Sequence, residues 1–208
     1  MAKQLTIRTA TPDDLSACLA LDHSLETLLV WQMQQTAPPP NFTVSFRELR
    51  LPRPIRVEYP RPPATLHQEL GSGQGVLVAE AEDVLLGYAH LVFNQADESA
   101  ALRNLAVDPA VRQQGIGRAL LSQAVAYARR RGANRLVAET TPRSYPAIRL
   151  FVSQQLAFCG YQDLHFPNRN IAIFLENRYD RNARHAPDAN QRSVNHRHRH
   201  YGSVFAAV

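Results

Sequence analysis

The sequence predicts a mixed α/β fold built around a central sheet. Three observations carry this. Apolar–polar alternation marks strands at several points, helical periodicity falls between them, and residues 76–93 read as one long hairpin. A length of 208 residues fits one domain with appendages, and 45% hydrophobic against 20% charged residues excludes wholesale disorder.

Residues 4–9 alternate Leu5 and Ile7 with polar neighbours, as a half-buried strand does. Thr11, Pro12, Asp13 and Asp14 follow, a cap, a first-turn proline and two acids suited to a helix start. Leu15, Cys18, Leu19, Leu25, Leu28 and Leu29 recur at helical spacing, so a helix is expected across them. Residues 34–63 then hold eight of the chain's 14 prolines, which excludes a continuous helix. Alternation at Phe42, Val44 and Phe46, and at Ile55 and Val57, predicts short strands inside this insert. Segments 76–81 and 84–93 form the hairpin, turning at Glu82 and Asp83.

A strand over residues 100–107 is closed by Asp108 and Pro109. Residues 115–131 have helix-forming composition, with Ile116, Ala119, Leu120, Ala124, Val125 and Ala128 on one face and Gly132 as the stop. A short strand at 135–140, a helix from Tyr145 to about 156, and strands at 158–164 and 170–176 complete the body. The organisation predicted is a domain over 1–176, an insert at 34–75 within it, and a polar extension at 177–208.

The formal charge of +5 and a pI near 9.6 invite a nucleic-acid reading. Position decides otherwise. Residues 177–208 hold six Arg and two Asp, which accounts for +4, and the body is left at +1. By composition that body is not a nucleic-acid surface. His196, His198 and His200 alternate with Arg197 and Arg199, whose charge opposes metal binding, so no metal site is expected. Cys18 and Cys159 are too few for a disulfide framework or a zinc site. No secretory signal and no membrane-length apolar run is present, so the expectation is a soluble cytoplasmic protein without a membrane partner.

The chemical signal lies in NLAVDPAVRQQGIGRALL, residues 104–121. An apolar strand, a proline break, an Arg-and-Gly loop and a helix follow one another. Gly115 and Gly117 let the backbone turn sharply and approach a ligand, and amides from Gln113 through Gln114, Ile116 and Arg118 to Ala119 face an anion at the helix start. Arg112 and Arg118 add charge-assisted donors. The spacing is neither GxGxxG, since Leu120 takes the third glycine position, nor a P-loop.

RQQGIGRALL after NLAVDP resembles the acetyl-CoA signature of the GNAT N-acetyltransferases, with the order of elements matching over about residues 5–175. The resemblance implies a mostly antiparallel central sheet flanked by helices and splayed at its fourth and fifth strands. It also implies acetyl-CoA as cosubstrate, with backbone amides of residues 113–118 on the pyrophosphate. Leu105, Ala106 and Val107 would lie beside the pantetheine arm, Leu105 and Val107 pairing with it through their backbone. A narrower resemblance covers LVAETTPRSYPAIRLFVSQQLAFCGYQD and NRNIAIFLEN, which look like the streptothricin-acetyltransferase-like branch. Two departures stand out. The family's thiolate-protonating Tyr aligns with Phe151, which has no ionisable proton, and its pantetheine-contacting Asn aligns with Ser144, which still hydrogen-bonds. The usual Gly-Phe after the helix is Gln155–Leu156.

Acetyl transfer to an amine needs a neutral nucleophile, a polarised carbonyl and two proton transfers. A strand-end amide such as that of Val107 would meet the developing oxyanion. Glu139, just before the loop to Tyr145, is the candidate to hold the ammonium and relay its proton; its other reading is an ion pair with an Arg such as Arg143. Glu98 is a weaker candidate, being in a loop. Tyr145 or Tyr161 would replace the missing acid, unless both only pack. The insert, with Arg47, Arg50, Arg53, Arg56 and Arg61 beside Trp31, Phe42, Phe46 and Tyr59, reads as an acceptor-site wall or a homodimer interface. The function expected is acetyl transfer to a primary amine of a small molecule or peptide. The alternatives are a non-catalytic acyl-CoA-binding module, from Phe151, and a nucleic-acid-binding protein, from the basic tail.

Overall fold

The computed structural model describes residues 4–36, 43–61, 67–68, 70 and 75–178. The tail beyond these, with its alternating His and Arg residues, lies outside the described residues, as does Phe42. The chain runs β1 (Thr6–Thr9), α1 (Asp14–Ala20), β2 (Leu25–Thr36), β3 (Thr43–Val57), β4 (Val76–Ala81), β5 (Val84–Asn94), β6 (Ser99–Val107), a 3-10 turn (Pro109–Val111), α2 (Ile116–Arg130), β7 (Arg135–Thr140), α3 (Tyr145–Ser153), β8 (Ala157–Gln162) and β9 (Ala172–Arg178). Seven strands form one sheet in the order β1-β4-β5-β6-β7-β9-β8, and β2 and β3 form a second, two-stranded sheet. Every pair is antiparallel except β6 with β7.

Two segments depart from the sequence reading. The first helix ends at Ala20, and Leu25, Leu28 and Leu29 belong to strand β2. The break is local: the Asp22 carboxylate accepts the Ser24 N–H at 2.9 Å, an Asx turn that stops the helix. Nor does Thr11 cap α1; its hydroxyl and N–H both donate to Asp14. The insert expected to hold short strands is instead a long hairpin arm of β2 and β3. Pro52 and Pro54 are accommodated by a bulge. Leu29 pairs with Arg50 and Thr27 with Ile55, so residues 51–54, with Pro52 and Pro54, stand outside the ladder and need no donors.

The predicted hairpin is β4–β5, with Ala81 opposite Val84 and positive φ at Glu82 (51°) and Asp83 (61°), the geometry of a two-residue primed turn. One sheet face packs on α2 and α3. Leu120, Leu121, Ala124 and Ala128 of α2 are fully buried there with Leu91, Leu136 and Leu175, each leucine worth roughly 1.5–3 kcal/mol of burial. The other face packs on α1, where Cys18 sits among Val76, Val78, Tyr88 and Ala106, and burial pushes its thiol up to about 12. The arm is docked by Phe46, whose ring lies 5.4 Å from Phe158 and 5.9 Å from Tyr161, and by Trp31, whose backbone N–H donates to the Pro142 carbonyl at 2.8 Å.

Asp14 ties α1 to the sheet. Its carboxylate accepts two hydrogen bonds from Arg8, at 2.7 and 2.9 Å, which hold it well below the usual carboxylate range. Arg8 is more than a third exposed, so solvent screens the pair, and Asp14→Asn should cost about 1–2 kcal/mol in denaturant unfolding. Because the folded carboxyl is the stronger acid, that difference should be complete above the free value of about 3.9 and shrink as pH falls below it. A pH-independent difference would exclude the ion pair as its cause.

Candidate active site

The site is made where β6 and β7 part. Their parallel pairing runs from Ser99–Arg135 to Leu102–Ala138 and stops, so β6 from Arg103 to Val107 has a neighbour only on the β5 side. These are the fourth and fifth strands of the large sheet, splayed as expected. The Asp108 N–H donates toward β5, to Leu86 at 2.8 Å. By strand alternation the backbone groups of Arg103, Leu105 and Val107 then face the opening, and those of Ala106 face β5. Two of the outward carbonyls are taken by side chains: Arg103 accepts from Arg61 Nη1 at 2.8 Å, and Val107 from Arg112 Nε at 2.9 Å. Both polar groups of Leu105 and the Val107 N–H remain directed at the gap.

Beside this edge stands the start of α2. Its first hydrogen bond runs from the Ala119 N–H to the Gly115 carbonyl, so the amides of Ile116, Gly117 and Arg118 precede any intrahelical partner. Gly115 has φ +87°, and a Cβ there would meet nothing within 4 Å; the loop mouth is open. Gly117 lies against Val107, whose Cγ2 would be 3.7 Å from an added Cβ, so loop and strand edge are contiguous. Gln113, Gln114 and Arg118 are exposed around it. Bare amides at a helix start, continuous with an unpaired strand edge, suit a pyrophosphate followed by an amide-bearing arm, which is the chemistry of coenzyme A.

Past the edge opens a cleft. Leu105, Ser144, Ala147 and Phe151 line its α3 side, and His23, Leu25, Val57, Tyr59 and Pro60 its arm side, with Arg61, Arg103 and Glu139 between. Leu105, Ser144, Phe151 and Glu139 thus line one cleft. Ser144 is buried, its hydroxyl 3.2 Å from that of Thr141, and Phe151 is core.

Three expected roles are not matched by the geometry. Glu139 is 4% exposed with both oxygens occupied: Oε1 accepts from Arg61 at 2.5 Å and His165 at 2.8 Å, and Oε2 from Arg103 at 3.0 Å. It is an anchor for cations of the protein, so an ammonium would have to displace one; the partners are Arg61 and Arg103 rather than Arg143. Tyr145 is not among the residues lining the cleft. Its hydroxyl donates to Glu48 of the arm, whose carboxylate pushes the phenol up and away from acid service. Arg112 is bonded to carbonyls: besides Val107, Nη1 donates to Ser24 at 2.8 Å and Nη2 to Asp22 at 2.7 Å. Tyr161 packs edge-on against Phe46, and Glu98 pairs with Asn134, outside the cleft.

His23 and Arg103 went unnoticed in the sequence, and Tyr59 and Arg61 were expected only as members of an acceptor-site wall or interface. His23 lines the cleft with Nε2 2.8 Å from the Tyr88 hydroxyl, and burial holds its imidazole below the usual value, so it is neutral at neutral pH. Tyr59 stands 5.0 Å from it, ring to ring, with its hydroxyl donating to Asn104 Oδ1. Arg103 and Arg61 lie 36 and 78 positions from Glu139, beyond any local pattern. Glu139→Gln should therefore act on stability first, by about 3–5 kcal/mol in denaturant unfolding, because it leaves buried guanidinium charge uncompensated. A loss under 1 kcal/mol would mean the pair is solvated.

Residues 43–158 match the acetyltransferase (GNAT) family. The streptothricin acetyltransferase of Streptomyces lavendulae is 28% identical over 158 residues, covering 74% of this chain and 82% of that protein. The crystal structure of nourseothricin acetyltransferase superposes with a TM-score of 0.69 at 26% identity, over 83% of this chain and 96% of that one. A Bacillus anthracis structure solved in complex with acetyl coenzyme A gives a TM-score of 0.66 at 18% identity, over 85% of this chain and all of that one. With its splayed strands, bare helix start and matching sequence, the chain belongs to the GNAT acetyltransferase family.

Proposed function

We propose that this acetyltransferase acetylates a primary amine of a small molecule, held against the arm side of the cleft. The observation that carries this is the cleft itself: it opens at the unpaired edge of β6 and is walled opposite by residues of the arm base, His23, Leu25, Tyr59 and Pro60. A small-molecule acceptor is favoured over a peptide by the relatives named for streptothricin and nourseothricin. When bound, acetyl-CoA supplies the thioester and leaves as the thiol.

The chain's residues would divide the remaining work. Ile116, Gly117 and Arg118 present amides to the pyrophosphate, and Leu105 pairs with the arm through its N–H and carbonyl. The Val107 N–H would hold the carbonyl oxygen as negative charge develops on it. Glu139 fixes Arg61 and Arg103, and the cationic side chains beside it lower the proton affinity of an incoming amine, which favours the neutral nucleophile. Phe151 offers no proton. The thiolate expelled from the tetrahedral intermediate would take its proton from water, so a dedicated acid is dispensable. A chain with only two cysteines suits a reducing, cytoplasmic setting. Among the described residues no helix is long and apolar enough to cross a membrane, and no metal-binding group is present.

Incubation with acetyl-CoA and a panel of primary amines should release thiol only where an amine is accepted; cofactor binding without release across the panel would favour a binding module instead. Gly115→Val places a branched side chain at positive φ in the loop mouth. It should raise the acetyl-CoA dissociation constant about tenfold or more by calorimetry. An unchanged constant would remove the loop from the cofactor site.

A further inference from the structure

We propose that Arg112, the first residue of the RQQGIG loop, is a positioning residue for the acceptor wall rather than a phosphate ligand. The inference deepens the acetyltransferase reading by assigning a loop residue to the opposite substrate. Arg112 is partly buried, and three of its nitrogens are committed: Nε to the Val107 carbonyl, Nη1 to Ser24 and Nη2 to Asp22, all between 2.7 and 2.9 Å. The last two partners lie 88 and 90 residues away in the connection from α1 to β2.

Those two carbonyls flank His23. Held on one side by a single planar guanidinium, Asp22 and Ser24 fix the backbone of the residue between them. The Asx turn from Asp22 to the Ser24 N–H closes the same segment. His23 and Leu25, the outward residues of this stretch, line the cleft. His23 then meets Tyr88 through its ring nitrogen and Tyr59 ring to ring, so the order of the arm-side wall traces back to Arg112. The third bond, to Val107, ties that wall to the strand end which carries the open edge. The cofactor loop and the acceptor wall are therefore joined by one side chain.

The test separates the two roles. In wild type and in Arg112→Ala and Arg112→Lys, hydrogen exchange of the peptide covering residues 21–25 is followed without ligand, with the β4–β5 amides as the folding control. Acetyl-CoA affinity is measured by calorimetry. Expected is faster exchange at 21–25 by about tenfold or more in both variants, with the β4–β5 amides unchanged. Acetyl-CoA affinity should stay within about threefold of wild type. For an amine that the wild type accepts, KM for the amine should rise by about tenfold or more. Wild-type exchange at 21–25 in either variant would overturn the proposal, and so would a tenfold loss of acetyl-CoA affinity. If Arg112→Ala does not fold, Arg112→Lys decides, since it keeps the charge and loses the three-way geometry. Failure of wild type to bind acetyl-CoA would sink the acetyltransferase reading, while the ligand-free exchange would still report on Arg112.

Discussion

Strand β6 leaves its parallel neighbour halfway, and the polar backbone of its far half must then find partners elsewhere. That single unmet requirement organises the site. Arg61 reaches the carbonyl of Arg103 from the arm base, and Arg112 reaches that of Val107 from the loop before α2. What stays open at Leu105 is the part we propose a ligand amide completes. A sheet held together all along β6 and β7 would be more regular and would have no gap in which to do chemistry.

Glu139 sits at the same fork and answers a second need. Separating the strands opens the interior to charged side chains, and one carboxylate with two guanidiniums and an imidazole keeps them in place. Arg61, 8% exposed, would be costly to bury without it. The acid lies in the cleft, yet its surroundings make it a keystone between arm, β6 and the loop after β8. Position near a reaction does not confer a role in proton transfer when both carboxylate oxygens already accept from the protein's own side chains.

Much of this was legible along the chain. The strand, RQQGIG loop and helix announce themselves because the anion cradle is local: glycines, orphan amides and the adjacent strand lie within 18 residues. The β4–β5 hairpin and β7 are equally local. The arm was misread for two reasons. Leu25, Leu28 and Leu29 satisfy a helical period by accident of a bulge at Thr27, and prolines that forbid a helix are tolerated in a strand that bulges away from its ladder. The cleft's arm side was legible only as a candidate wall containing Tyr59 and Arg61. His23 was missed, because it joins that wall only where the arm folds back over the splay, a relation that periodicity does not encode.

The buried thiol of Cys18 has a bearing on how such an enzyme is observed. At 1% exposure, with its proton held to about 12, it is a small apolar filler beneath α1 and carries almost no thiolate at neutral pH. Electrophiles and oxidants that trap liberated coenzyme A would pass it by while the helix is seated. Its alkylation then reports a distinct event, the lifting of α1 from the sheet, and the protein carries its own covalent clock for that opening.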